Sequence, residues 1–121
     1  MTKEEWKRKI VRNCRAVGTY QKPFEPVIIT LAQILEQRDR AIEDYESTGA
    51  QVLIEHTNKS GATNVEQNPT LRLINDLNRD ALAYWRDLGL TPAGLKRLTD
   101  TVVAEKKKSA LEEALEKIGS T

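Results

Sequence analysis

Leu88-Gly89-Leu90-Thr91-Pro92 ends one helix and opens the next within five residues, and no other segment constrains the chain as strongly. Glycine tolerates the left-handed conformation that closes a helix. Thr91 can accept a hydrogen bond from a free N–H of the first turn, and Pro92 loses nothing where its missing N–H would have had no partner. Asn68-Pro69 is a second start of the same kind, a capping side chain followed by proline. Two helices joined by a tight corner follow, one from about Pro69 to Leu88 and one from Pro92 onward.

Upstream, Thr2 and Glu5 have the capping-box spacing, so a first helix is expected from about Lys3 to Ala16 or Val17, closed by Gly18. Trp6, Ile10, Cys14 and Val17 share one side of it, and Arg8, Arg12 and Arg15 lie nearly opposite. Pro23-Phe24-Glu25-Pro26 is a stiff connector into a second helix. There Phe24, Val27, Ile28, Leu31, Ile34 or Leu35, Arg38, Ala41 or Ile42 and Tyr45 repeat at three- and four-residue steps until Ser47-Thr48-Gly49. Val52-Leu53-Ile54-Glu55-His56, a turn at Asn58-Lys59-Ser60-Gly61-Ala62, and Thr63-Asn64-Val65-Glu66-Gln67 read as a β-hairpin. A lone two-stranded ribbon buries little, so it needs a helix face or another subunit to lie on. The third helix carries Leu71, Ile74, Leu77, Ala81, Tyr84, Trp85 and Leu88. The fourth carries Leu95, Leu98 and Val102, and extends through Ala104, Leu111, Leu115 and Ile118 past the polar Glu105-Lys106-Lys107-Lys108, with a frayed end at Gly119-Ser120-Thr121.

The expected fold is therefore mainly α, about four helices with one β-hairpin between the second and third. Its parts are a basic amphipathic helix over 1–22, core helices plus hairpin (about 51–67) over 23–100, and a C-terminal helix or tail over 101–121. Hydrophobic residues make up 39% of the 121, below the ~45–50% of an average domain. Half-buried helices completed by partner subunits suit that composition.

Nothing resembles a membrane span or a signal peptide. One cysteine, Cys14, excludes an internal disulfide, and His56 alone leaves no Cys/His metal set. The chain reads as a cytosolic protein that is not secreted and carries no metal or cofactor. Cys14 reads as a small buried hydrophobe, His56 as a strand-end residue, and Asp39, Glu43, Asp44 and Glu46 as members of solvated helix pairs with Arg38 and Arg40. With no Gly-rich phosphate loop and no nucleophile–base set, the sequence argues against an enzyme.

Charge is the more informative signal. Residues 1–22 carry seven basic and two acidic residues, a local +5, whereas residues 36–80 carry five and nine, a local −4. A basic end on a balanced chain implies an anionic partner or an acidic neighbouring subunit. For Arg8, Arg12 and Arg15 two readings stand level: a solvated or ion-paired face, and phosphate binding. Lys96 and Arg97, where a helix start offers free N–H groups, form a weaker second candidate.

Tyr45 and Gly49 before the hairpin, Asn68 and Pro69 after it, and Leu88-Gly89-Leu90-Thr91-Pro92-Ala93 with Arg97 and Leu98 occur in an order that resembles the phage terminase small subunit family over roughly residues 27–100. One departure is Gly94-Leu95, where that family commonly has a small polar residue and an arginine. The resemblance implies a non-enzymatic protein of tailed double-stranded DNA phages that assembles into a homo-oligomeric ring. It implies binding of viral double-stranded DNA and its presentation to the large terminase subunit, the ATPase and nuclease of genome packaging in virion assembly.

On that reading DNA contact is expected at Arg8, Arg12 and Arg15, supported by Lys3, Lys7 and Lys9, with Lys96 and Arg97 in second place. The subunit interface is expected at Trp6, Tyr45, Ile54, Tyr84 and Trp85. The alternatives are a helix-turn-helix transcriptional regulator, with the fourth helix in the major groove, and a head–tail adaptor-type structural protein that binds no DNA.

Overall fold

A computed structural model of the chain describes residues 1–119. In chain order it contains α1 (Lys3–Val17), a 3-10 turn (Lys22–Phe24), α2 (Glu25–Ser47), β1 (Leu53–Thr57), β2 (Thr63–Gln67), α3 (Pro69–Asp87) and α4 (Pro92–Gly119). The fold is mainly helical with one hairpin between the second and third helices, as expected. Gly119 is the last residue of α4; the frayed end expected at Ser120 and Thr121 lies outside the described residues.

Each boundary has a local cause. In α1 the capping box forms in both directions, Glu5 N–H donating to Thr2 Oγ1 at 3.2 Å and Thr2 N–H to Glu5 Oε2 at 3.3 Å. Gly18, at φ +79°, closes the helix. Asn68 serves α3 and the hairpin together. Its side-chain oxygen accepts from Thr70 N–H at 3.0 Å, its amide donates to the Gln51 carbonyl at 2.9 Å, and its backbone N–H donates to the Val52 carbonyl at 2.8 Å.

α2 is the central rod, with α1 and α3 packed along it. Ile10, Cys14, Ile28, Leu31, Ala32 and Leu35 are fully buried, and Trp6, Ala81 and Leu88 join the same core. Of the apolar side expected for α1, Val17 is the exception: at the last turn it stands 38% exposed. Cys14 is buried, as read from its stripe. Burial raises the pKa of its thiol above the usual value, against an opposing hydrogen bond from Thr19, so the group stays neutral.

The hairpin pairs Leu53 with Gln67 through to Thr57 with Thr63, and apart from half-buried Ile54 and Gln67 both strands are exposed. His56 therefore sits within β1 opposite Asn64, not at the strand end expected from sequence. The first turns of α4 touch α3, but every residue from Thr99 to Gly119 is exposed. Three helices make the body and the fourth projects from it. Among the described residues no helix is long and apolar enough to cross a membrane.

Candidate nucleic-acid interface

Packing fixes which face of α1 meets solvent. Trp6, Ile10 and Cys14 are held against α2, so residues on the other side must point outward. There Lys7, Arg8, Arg12 and Arg15 line a shallow depression of ≈ 510 Å³ with Glu4 and Val11. The three arginines are exposed, and no carboxylate among the described residues forms an ion pair with any of these four cations. Arg15 is the most anchored, its guanidinium 4.7 Å from the centre of the Tyr20 ring. From Arg8 to Arg15 the stripe rises about 10 Å along the helix, which spans about three charges of one DNA strand at ~3.4 Å each.

The structure separates the other expected contacts from this face. Lys9 lies over the Trp6 ring at 5.2 Å, and Lys3 is half-buried beside Glu36, which accepts its backbone N–H at 2.6 Å. Lys96 and Arg97 line a different depression on α4, with Asp100 in it, and Arg97 reaches Asp87 at 3.5 Å. The helix start beside them is already partly satisfied: Gly94 N–H donates to Thr91 Oγ1 at 3.0 Å and Leu95 N–H to the Thr91 carbonyl at 2.9 Å. The free anion-binding N–H groups expected there are accordingly reduced.

The five residues expected at a subunit interface are also dispersed. Trp6 belongs to the protomer core, edge-on to Trp85 at 6.4 Å, with its indole N–H donating to Asp39 Oδ2 at 2.7 Å. Tyr84 and Trp85 are half-buried against that core. Tyr45 donates its hydroxyl to the Ala50 carbonyl at 3.0 Å, and Ile54 sits on the hairpin.

Asp39 overturns its sequence reading as a solvated pair. It accepts from the Trp6 indole, from Arg38 at 3.2 Å and from the N-terminal ammonium at 3.3 Å. Burial alone would raise its pKa, but these donors and the Arg38 charge together hold its carboxyl below the ordinary value. Arg38 also lies 5.5 Å from the centre of the Trp6 ring. The available signal was Arg38 itself, which falls in the apolar stripe of α2 with Asp39 one residue on and four beyond Leu35. A polar pair in register with a core stripe marks a buried junction.

A family model described as "Phage terminase, small subunit" matches residues 2–106. The chain belongs to the phage terminase small subunit family. The matched span takes in α1 and so includes the basic face, which lay outside the region of resemblance read from sequence motifs. No curated protein and no solved structure gave a significant match. The small-subunit fold seen here thus places its exposed arginines on α1 and its glycine-threonine-proline turn at the α3–α4 corner.

Proposed function

We propose that this small subunit is the DNA-recognition component of a phage genome-packaging motor. It acts without catalysis of its own in the bacterial host cytoplasm, as a multi-copy ring that binds viral double-stranded DNA and delivers it to the large terminase subunit. The observation that carries the DNA part is the row of exposed Arg8, Arg12 and Arg15 with half-buried Lys7, free of carboxylate partners among the described residues. Side chains of this kind neutralise phosphates and release counterions, giving affinity that is salt-sensitive and weakly dependent on base sequence.

The regulator alternative would have the start of α4 read bases. Thr91 there is occupied as a cap and Gly94 is buried, which favours the α1 surface as the DNA-contacting element.

The test is Arg8→Ala/Arg12→Ala/Arg15→Ala in the full chain, followed by DNA titration across salt concentrations. The fold should survive, since all three side chains are exposed. The slope of log affinity against log salt should fall by about 3 for each subunit touching DNA, with binding lost at moderate salt. Unchanged affinity would remove α1 from the DNA interface and leave the adaptor reading in front.

A further inference from the structure

We propose that an apolar groove on the body receives the distal part of α4 from a second copy of the chain. The groove, ≈ 750 Å³, lies between the C-terminal end of α1 and the α3–α4 corner, walled by Ala16, Val17, Trp85, Leu90, Pro92 and Leu95. Val17 and Ala16 are exposed on its rim, which leaves apolar surface on the body facing water.

The occupant is indicated by α4. Leu95 and Leu98, half-buried toward the body, lie on one side of that helix. Leu111 and Leu115, 61% and 58% exposed, are centred about 150° around it from that pair at ~100° per residue. Because α4 is one continuous helix, Leu111 stands about 24 Å beyond Leu95 along the axis. Its apolar stripe therefore cannot turn back into its own groove, but the groove of another copy is open to it.

Charge agrees with this pairing. Glu105, Glu112 and Glu116, at seven- and four-residue steps, run along one flank of the Ala104, Leu111 and Leu115 stripe, with Lys108 between them and the stripe, so the flank is net acidic. On the body, exposed Lys9 stands one helical turn before Asn13, an α1 residue that lines the groove. An acidic flank thus meets a basic rim. Each copy offers one tail and one groove, so the joint is head-to-tail and repeats from copy to copy until a ring closes. The inference rests on the multi-copy part of the proposed function and specifies how the copies are joined.

Light scattering on a sizing column, applied to the full chain, Val17→Asp, Leu115→Asp and an equal mixture of the two variants, tests it. Both side chains are exposed, so far-UV circular dichroism should remain that of the parent; Ala16→Asp and Leu111→Asp replace either variant that unfolds. The parent should be multi-copy and each variant monomeric. The mixture should form a two-copy complex, because the intact tail of the Val17→Asp chain fits the intact groove of the Leu115→Asp chain. A mixture that stays monomeric, or a variant that keeps the parent's mass, overturns tail docking while leaving assembly by another surface. A parent that is monomeric at every concentration overturns the assembly reading as well.

Discussion

At the scale of single residues, Asp39 joins three parts of the chain: the indole of α1, the guanidinium beside it on α2, and the chain start. Asp39→Ala leaves the Trp6 N–H without its acceptor in a part-buried site. It should lower unfolding stability by about 2 kcal/mol, the range for losing a hydrogen-bond partner of a charged group. The acid dependence follows from the depressed carboxyl. The stabilisation from ionised Asp39 is complete above the ordinary aspartate value of 3.8 and is lost as pH falls through the lower folded value. Chemical denaturation of parent and Asp39→Ala at neutral and acidic pH should show the difference shrinking toward low pH; a constant difference would mean that charge plays no part. Read as sequence, Asp39 looked like one of several surface acids, because helical spacing shows which face a residue occupies but not whether a tryptophan from elsewhere sits over it. Trp6 lies thirty-three positions away, and no local pattern reports such a pairing.

At the scale of elements, the corner between α3 and α4 is a packing joint as well as a turn. Gly89 adopts φ +71°, and an added Cβ there would meet Leu98 Cδ1 at 2.9 Å and Thr19 Cγ2 at 3.0 Å. Thr19 donates its hydroxyl to the Leu88 carbonyl at 2.7 Å, tying the end of α1 to the same corner. At Gly94 a Cβ would run into the backbone carbonyl of Arg86, so α4 can cross the end of α3 only with hydrogen at this position. Gly94→Ala should cost about 1–3 kcal/mol through forced displacement of backbone. Amide chemical shifts should change around Arg86 and Gly94 while those of the hairpin hold still. An alanine accommodated without loss of stability or shift would mean that the joint is loose. The start and stop of α3 and the start of α4 were legible because caps, prolines and glycines act on their immediate neighbours. The closeness that makes Gly94 obligatory was not, since in sequence it is simply a glycine in the first turn of a helix. The departure from the family's usual wording at Gly94-Leu95 therefore has a steric reading at its first position.

For the whole molecule, stability is unevenly distributed. The residues buried most deeply lie on α1 and α2, with α3 closing the core, whereas residues 101–119 are exposed throughout. Amides over 101–119 of a dilute, unassembled chain should exchange hydrogen like those of an isolated helix. Amides around Ile28 to Leu35 should exchange only with global unfolding. Equal protection in both regions would show that the distal helix is covered. Low hydrophobic content pointed to surfaces completed by other subunits, and on the proposed assembly those surfaces are the exposed hairpin, groove and tail. Which residues would fill them was less visible: Trp6, expected at an interface, is enclosed by its own protomer. Composition sums over the chain and cannot distribute burial between one copy and the next. The arginine row on α1 was readable for the opposite reason, since a helix that buries one side necessarily presents the other.

The length of α4 makes its root a pivot. Twenty-eight residues extend about 42 Å, so a tilt of about 10° at the base would carry the tip through about 7 Å. The contacts of Gly89, Gly94 and Thr19 thus act as the bearing of a lever, and its stiffness sets how accurately the far end is aimed. A slack bearing would spread the tips of otherwise identical subunits over several ångströms, and a tight one would give every copy the same reach.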